Sequence, residues 1–208
     1  ISYVNQFYKK YKKYALTDIS LYGLVYNPLE IAAVYGKNEI VKFFFEKGAD
    51  PNAISPSYHV PIVFAIVMNK NIESISLAIK YGANVDIKDA NGTCLIGLAA
   101  STGSPDVVKA LLPGIKDINA VDSRSGNALF GAVYSGSIEV FNLLVASGID
   151  INKQSDSGNT PLLMAIAYEN IPIAELLIEL GADVTIINNK GYDAKRLAEH
   201  MGLVIKGL

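Results

Sequence analysis

Tryptophan is absent from this 208-residue chain, cysteine occurs once and histidine twice. A lone cysteine, Cys94, excludes an internal disulfide, and the lack of any disulfide framework or secretory leader points to an intracellular compartment. Charge is scarce too. Charged residues make up 18% of the chain and nearly cancel, leaving a net charge of −2, so no whole-molecule field draws in nucleic acid or an anionic membrane. No apolar run approaches the ~20 residues needed to cross a bilayer, which excludes stable membrane insertion. The sequence also lacks a cluster of Cys, His and carboxylates at zinc-ligand spacing, a Walker-type glycine loop and a strained nucleophile elbow, so neither an enzyme nor a cofactor site is expected.

What the chain does have is a repeated phrase. The clearest copy is Gly158-Asn159-Thr160-Pro161-Leu162-Leu163-Met164-Ala165. Thr160 suits the N-cap, where its hydroxyl accepts from an orphan N–H, and Pro161 at the first helical position gives up no hydrogen bond. A second apolar run, Ile173 to Ile178, ends at Gly181, which can take the left-handed conformation that stops a helix. The unit is therefore a short helix pair closed by a turn. It recurs with a small residue in the first helix as its marker: Ala32, Ala65, Ala99, Ala132, Ala165 and Ala198, at intervals of 33, 34, 33, 33 and 33. Helix-ending turns keep step at Gly48-Ala49-Asp50, Gly82-Ala83-Asn84, Gly148-Ile149-Asp150 and Gly181-Ala182-Asp183.

This pattern resembles the ankyrin repeat, with a period of about 33 residues and a T-P-L-H-x-A signature. The resemblance implies an all-α repeat fold, an ankyrin-type solenoid of stacked helix pairs with short β-hairpin fingers. It covers residues 27 to about 202. Five repeats are expected at about 27–53, 54–88, 89–121, 122–154 and 155–187, then a partial capping repeat over 190–208. The family's His place holds Glu30, Val63, Gly97, Phe130, Leu163 and Arg196, so packing is expected to replace its local hydrogen bond. By the same resemblance Cys94 stands at a helix-starting threonine place, and His59 and His200 fall several repeats apart, too far to share a metal.

Residues 1–26 precede the first clear repeat. Tyr3, Phe7, Tyr8, Tyr11 and Tyr14 recur near helical spacing among Lys9, Lys10, Lys12 and Lys13, which predicts an amphipathic helix. It reads either as a basic-aromatic patch for a membrane surface or nucleic acid, or as the polar-faced cap that a solenoid end requires; the cap is preferred. Phe44 and Phe45 are expected in the core and Phe43 partly against a neighbouring helix. The single 34-residue interval is expected to reflect one extra residue in the loop Asn69-Lys70-Asn71. Pro113 and Gly114 are expected to end the second helix of the third repeat near Leu112. Pro172 suits the start of the fifth repeat's second helix, and Lys195, Arg196, Glu199 and His200 make the last helix polar outside.

The resemblance implies a non-catalytic, monomeric protein-binding module whose concave surface is formed by the fingers and the ends of the first helices. The side chains at those phases are Tyr35, Met68, Thr102, Tyr134 and Tyr168 along the helices, with Tyr58, His59, Asn91, Thr93, Arg124, Asn159 and Tyr192 on the fingers. Tyrosine combines large apolar area, few rotors and a polar tip, which suits interface anchors. Interleaved Asp50, Asp89, Asp122, Asp150 and Asp156 favour a protein partner with a basic or mixed-polar segment. The alternative is a docking domain of a modular enzyme whose catalytic part lies outside this chain. The chain begins at Ile1 rather than Met and is expected to be a piece of a larger protein. Its richness in Ile, Asn, Lys and Tyr is compatible with an AT-biased genome, such as that of an intracellular bacterium delivering effectors into host cytoplasm or that of a protist.

Overall fold

The computed structural model describes residues 19–21, 24–55 and 59–208, with side chains from Asn27 onward. Strands β1 (Ile19–Leu21) and β2 (Leu24–Tyr26) pair antiparallel, Ile19 opposite Tyr26, and occupy the place of the first finger. The helical cap expected over residues 1–26 is thus strand at its end, and its aromatic-lysine part lies outside the described residues. Six first helices follow: α1 (Pro28–Val34), α3 (Ile62–Met68), α5 (Leu95–Ser101), α7 (Ala128–Ser135), α9 (Pro161–Ala167) and α11 (Ala194–Met201). Between them run the second helices α2 (Asn38–Glu46), α4 (Ile72–Lys80), α6 (Pro105–Leu111), α8 (Ile138–Ala146) and α10 (Ile171–Glu179). First helices pack on first helices in chain order, and α2, α4, α6 and α8 do the same in a second layer.

Capping chemistry sets where the helices start. The Asn27, Asn127, Thr160 and Asp193 side chains each accept a backbone N–H of the helix they precede. Asn71, Ser137 and Asn170 do so for second helices. Cys94 occupies the N-cap of α5 without a capping bond. Pro172 lies in the first turn of α10, where its missing N–H costs nothing. The one-sided apolar pattern then builds one continuous core running from Leu29 to Ile205. Phe44 and Phe45 are buried in it and Phe43 is half-buried, with the Phe45 ring stacked on Tyr81 at 5.3 Å between centroids.

All six marker alanines are buried, at 8% exposure or less, yet they do not form one register. Left-handed residues end the first helices at Gly36, Lys70, Gly103, Gly136, Glu169 and Gly202. That series is separated by 34 residues once, between Gly36 and Lys70, and by 33 thereafter. Its N–H groups bond Ala33, Val67, Ala100, Val133, Ile166 and Glu199, so Ile66 rather than Ala65 stands at the alanine phase. Each second helix consequently begins two residues after its left-handed residue. The extra residue lies between Gly48 and Ile62, on the finger side, and not in Asn69-Lys70-Asn71. A surface finger absorbs an insertion at little cost, whereas a shift in the tight left-handed turn would misalign the second helix.

In the third repeat α6 ends at Leu111 and continues only as a 3-10 turn, Leu112–Gly114, as Pro113 dictates. Beyond the β1–β2 pair, the described parts of the fingers are turns with isolated bridges rather than extended hairpins. Ile54 bridges Pro61 and Lys88 bridges Cys94 as isolated pairs. Side chains fasten neighbouring units at the helix-ending turns. Asn52 Nδ2 donates to the Gly82 carbonyl and its Oδ1 accepts from Asn84 N–H. Asn119 joins Asp150 in the same way, and Asn152 joins Asp183. Asp86 fills the corresponding place in the second repeat and makes no such bond to the third among the described residues.

In the family's His place, Glu30 is buried and its Oε1 accepts from the Ser55 hydroxyl at 2.8 Å. Hydrogen bonding at this place therefore persists, but it links the first repeat to Ser55 of the second rather than closing a local turn. In the next four the place is filled by the uncharged Phe64, Gly97, Phe130 and Leu163, Phe64 replacing the expected Val63 because the true phase of this repeat lies one residue later.

Candidate functional site

Helices α3, α5, α7 and α9 contain no charged residue at all. One side of each is buried in the core; the other faces the fingers, and its composition decides what that face can hold. Exposed along it are Tyr35 at 71%, Met68 at 59%, Tyr134 at 67% and Tyr168 at 56%. Large side chains left this open are uneconomical in water unless another surface covers them. Tyr134 and Tyr168 meet edge to face, with ring centroids 6.2 Å apart and planes at 71°.

Two hollows lie along this face. The first, of about 570 Å³, runs between the second and third repeats and is lined by Val60, Phe64, Met68, Thr93 and Leu98 among others. The second, of about 340 Å³, spans the third to fifth repeats; its walls include Leu98, Phe130, Tyr134, Met164 and Tyr168, with Arg124 on the finger above. A pair of glycines makes the second hollow. Gly97 on α5 and Gly131 on α7 let the two helices approach until a Cβ at Gly131 would stand 2.5 Å from the Gly97 carbonyl oxygen.

The finger tips are rigidly built. Asp89 Oδ1 accepts from the N–H groups of Asn91 and Thr93, and Asp122 Oδ1 accepts from Arg124 and Gly126 at 2.8 and 3.0 Å. Ser125, with φ of 62°, takes the left-handed place that glycine takes in its neighbours. Its hydroxyl donates to the Asp156 carboxylate on the next finger, while Asp156 N–H donates to the Arg124 carbonyl at 2.9 Å.

The structure brings together Thr93, Arg124, Tyr134 and Tyr168 in the second hollow and Thr93 and Met68 in the first. Tyr35 is exposed at the end of α1, beyond both. His59 and Asn91 are exposed on their fingers. Three other expected contact residues are half-buried and use their polar or aromatic groups on neighbouring turns and helices. Thr102 is half-buried and its hydroxyl donates to the Ala99 carbonyl. Asn159 Oδ1 accepts from Asn188 Nδ2 of the next repeat at 2.8 Å. The Tyr192 ring packs on His200 at 5.2 Å between centroids. Tyr58 lies outside the described residues. Leu98, Phe130 and Met164 were not anticipated; the signal that locates them is the glycine at successive helical places in α5 and α7.

Cys94 lies at the edge of the second hollow, buried, its Sγ donating to the Val121 carbonyl at 3.3 Å. Burial pushes its thiol above the ordinary value, which disfavours the reactive thiolate. Among the described residues no group of three His, Cys, Asp or Glu side chains is placed to hold a metal ion, and no helix is long and apolar enough to cross a membrane.

Known proteins agree with this architecture. Profiles described as ankyrin repeats match residues 26–53, 62–155 (three copies) and 157–189. The chain is 30% identical over 109 residues to the nuclear factor NF-kappa-B p105 subunit of Gallus gallus, covering 50% of this chain and 11% of that protein. It is 27% identical over 90 residues to the E3 ubiquitin-protein ligase KEG of Arabidopsis thaliana, covering 43% of this chain and 6% of that protein. The chain thus spans only a small part of these curated relatives. Among solved structures, the ankyrin repeat domain of Bcl-3, described as a unique member of the IkappaB protein family, superposes with a TM-score of 0.76 at 25% identity, over 85% of this chain and 81% of that one. On its matched repeats, its register of capped helix pairs and this structural likeness, the chain belongs to the ankyrin repeat family.

Proposed function

We propose that this chain is a non-catalytic, monomeric module that binds a partner protein on the surface made by its fingers and first helices, as the targeting arm of a larger, effector-like intracellular protein. Ankyrin repeats are in general protein-interaction modules, which supports the broad reading. The observation that carries the particular surface is the exposed, mutually packed pair Tyr134 and Tyr168 beside a hollow on four helices free of charge. A finger rim bearing both Asp89, Asp122 and Asp156 and Lys88, Arg124 and Lys190 suits a segment of mixed polarity.

The test is capture of partners with the wild-type chain, followed by calorimetric titration of the purified partner against Tyr134→Ala/Tyr168→Ala and against Glu179→Ala on the opposite side. The concave pair is expected to lose about tenfold or more in affinity with an unchanged melt. Loss on Glu179→Ala alone would overturn the assignment, and a collapsed melt in the tyrosine variant would reassign those rings to the core.

A second reading has one observation in its favour: the match to 90 residues of a ubiquitin ligase of which they form 6%. In that reading the module docks a substrate for a catalytic part elsewhere in a longer chain, and the full reading frame would reveal a flanking catalytic motif.

A further inference from the structure

We propose that the second hollow receives a linear partner segment presenting one bulky apolar side chain with a carboxylate next to it or one position further along. This rests on the concave-surface reading above and specifies the partner's chemistry at one place on it.

The apolar half follows from the walls. Leu98, Phe130, Met164 and the faces of Tyr134 and Tyr168 enclose about 340 Å³, within the ~300–1,000 Å³ range of ligand pockets and suited to one large side chain rather than a helix face. No charged group rises from the helices beneath, so a buried charge arriving there would find no partner and would stay in water.

The acidic half follows from an inventory of polar groups around the hollow. Ser101 Oγ donates to the Leu98 carbonyl, and Asn127 caps α7 while its amide donates to the Asp150 carbonyl. Asp122 is half-buried and its Oδ1 is engaged by two backbone N–H groups of its own turn. Asp156 accepts from Ser125. Arg124 differs from all of these. It is exposed, it lines the hollow, and its guanidinium makes no ion pair among the described residues. Its backbone is held from both sides, by Asp122 through its N–H and by Asp156 N–H through its carbonyl, so the side chain stands on a fixed base. A planar guanidinium there can take a carboxylate in two parallel hydrogen bonds. The rim as a whole is of mixed charge, and within it Arg124 is a cation with no ion pair among the described residues, so the local complement at this hollow is a carboxylate.

The test is selection of random linear peptides displayed on phage against the 208-residue chain, then fluorescence anisotropy with synthetic versions of the enriched sequences. Enriched peptides are expected to share Leu, Met, Phe or Tyr beside Asp or Glu. Arg124→Glu is expected to weaken them by about tenfold or more, Arg124→Gln by less, and replacing the peptide acid with Lys to restore binding to Arg124→Glu. Enrichment of basic-flanked peptides, no enrichment, or indifference to Arg124→Glu overturns the inference. Peptides that lose affinity on Tyr168→Ala but not on Arg124→Glu leave the concave-surface reading standing; peptides indifferent to both remove it as well. Arg124 is exposed, and equal melting temperatures confirm that its variants remain folded.

Discussion

Gly131 on α7 stands directly against the Gly97 carbonyl of α5, and the structure predicts opposite outcomes for the same substitution at the two glycines. In Gly131→Ala the new Cβ would lie 2.5 Å from the Gly97 carbonyl oxygen, 3.0 Å from Ser101 N and 3.1 Å from Ala100 Cβ. Carbon–oxygen contacts in proteins settle near 3.3–3.6 Å, so α5 and α7 must part by about 1 Å. Two of the three obstacles are backbone atoms and cannot rotate aside. Overpacking of this kind costs about 1–3 kcal/mol, and about 2–3 kcal/mol where, as here, backbone atoms block the new methyl; against this a mid-helix Gly→Ala exchange returns roughly 1 kcal/mol. The net loss is about 1–2 kcal/mol, or roughly 2–8 °C in Tm for a chain of this length. In Gly97→Ala the new Cβ meets nothing nearer than Ala128 Cα at 3.9 Å. That variant is expected to gain about 0.5–1 kcal/mol from helix propensity and the stiffer unfolded chain. Urea melts followed by circular dichroism measure both, and hydrogen exchange should place the Gly131→Ala loss in α5 to α8. A Gly131→Ala chain as stable as wild type, or a destabilised Gly97→Ala chain, would refute the close-approach argument.

Other substitutions test the joints of the stack. Glu169 carries the left-handed turn of the fifth repeat at φ of 56°, where a side chain costs about 1 kcal/mol, so Glu169→Gly should raise the urea midpoint slightly rather than lower it. Asn119→Ala removes the clasp to the Asp150 N–H at 2.7 Å; a loss of about 1 kcal/mol, with faster amide exchange at the turn of the fourth repeat, is expected. Cys94 is held protonated by burial, so the unfolded chain releases its proton first. Its contribution to stability is complete below the ordinary thiol value of 9.0 and is lost as pH rises beyond it. Native chain should accordingly react slowly with iodoacetamide at pH 8 and quickly once unfolded in urea, and a Cys94→Ala chain should lose the decline in stability above pH 9 that this thiol causes.

The beat of the chain was readable because its most regular signals are chemically redundant: Thr160-Pro161 opens a helix, Gly181 closes one, and an apolar run lies between. Pro113 likewise announced the short α6, and Phe44 and Phe45 their burial. The position of the extra residue was not readable, for two physical reasons. Ala65 lies one place before the true phase inside Ile62–Met68, a helix so uniformly apolar that every one of its first six residues is buried and none marks the register. The residue that does mark it, Lys70, adopts a conformation ordinarily given to glycine, as does Glu169. For the site, exposure of Tyr134, Tyr168, Met68 and Arg124 followed from phase alone. Phase could not reveal that Thr102, Asn159 and Tyr192 spend their polar or aromatic groups on neighbouring turns and helices, nor that two glycines on adjacent helices open the hollow.

The missing clasp at Asp86 divides an otherwise evenly riveted structure. Asn52 ties the first unit to the second, and Asn119 and Asn152 tie the third, fourth and fifth together, but among the described residues no such clasp joins the second unit to the third, which are held by helix packing and by the exposed Lys70 ammonium donating to the Thr102 carbonyl, beside the foreshortened α6. Progressive denaturant should therefore open the chain at this seam first, releasing the amino-terminal pair while the three units that carry Tyr134, Tyr168 and Arg124 remain assembled.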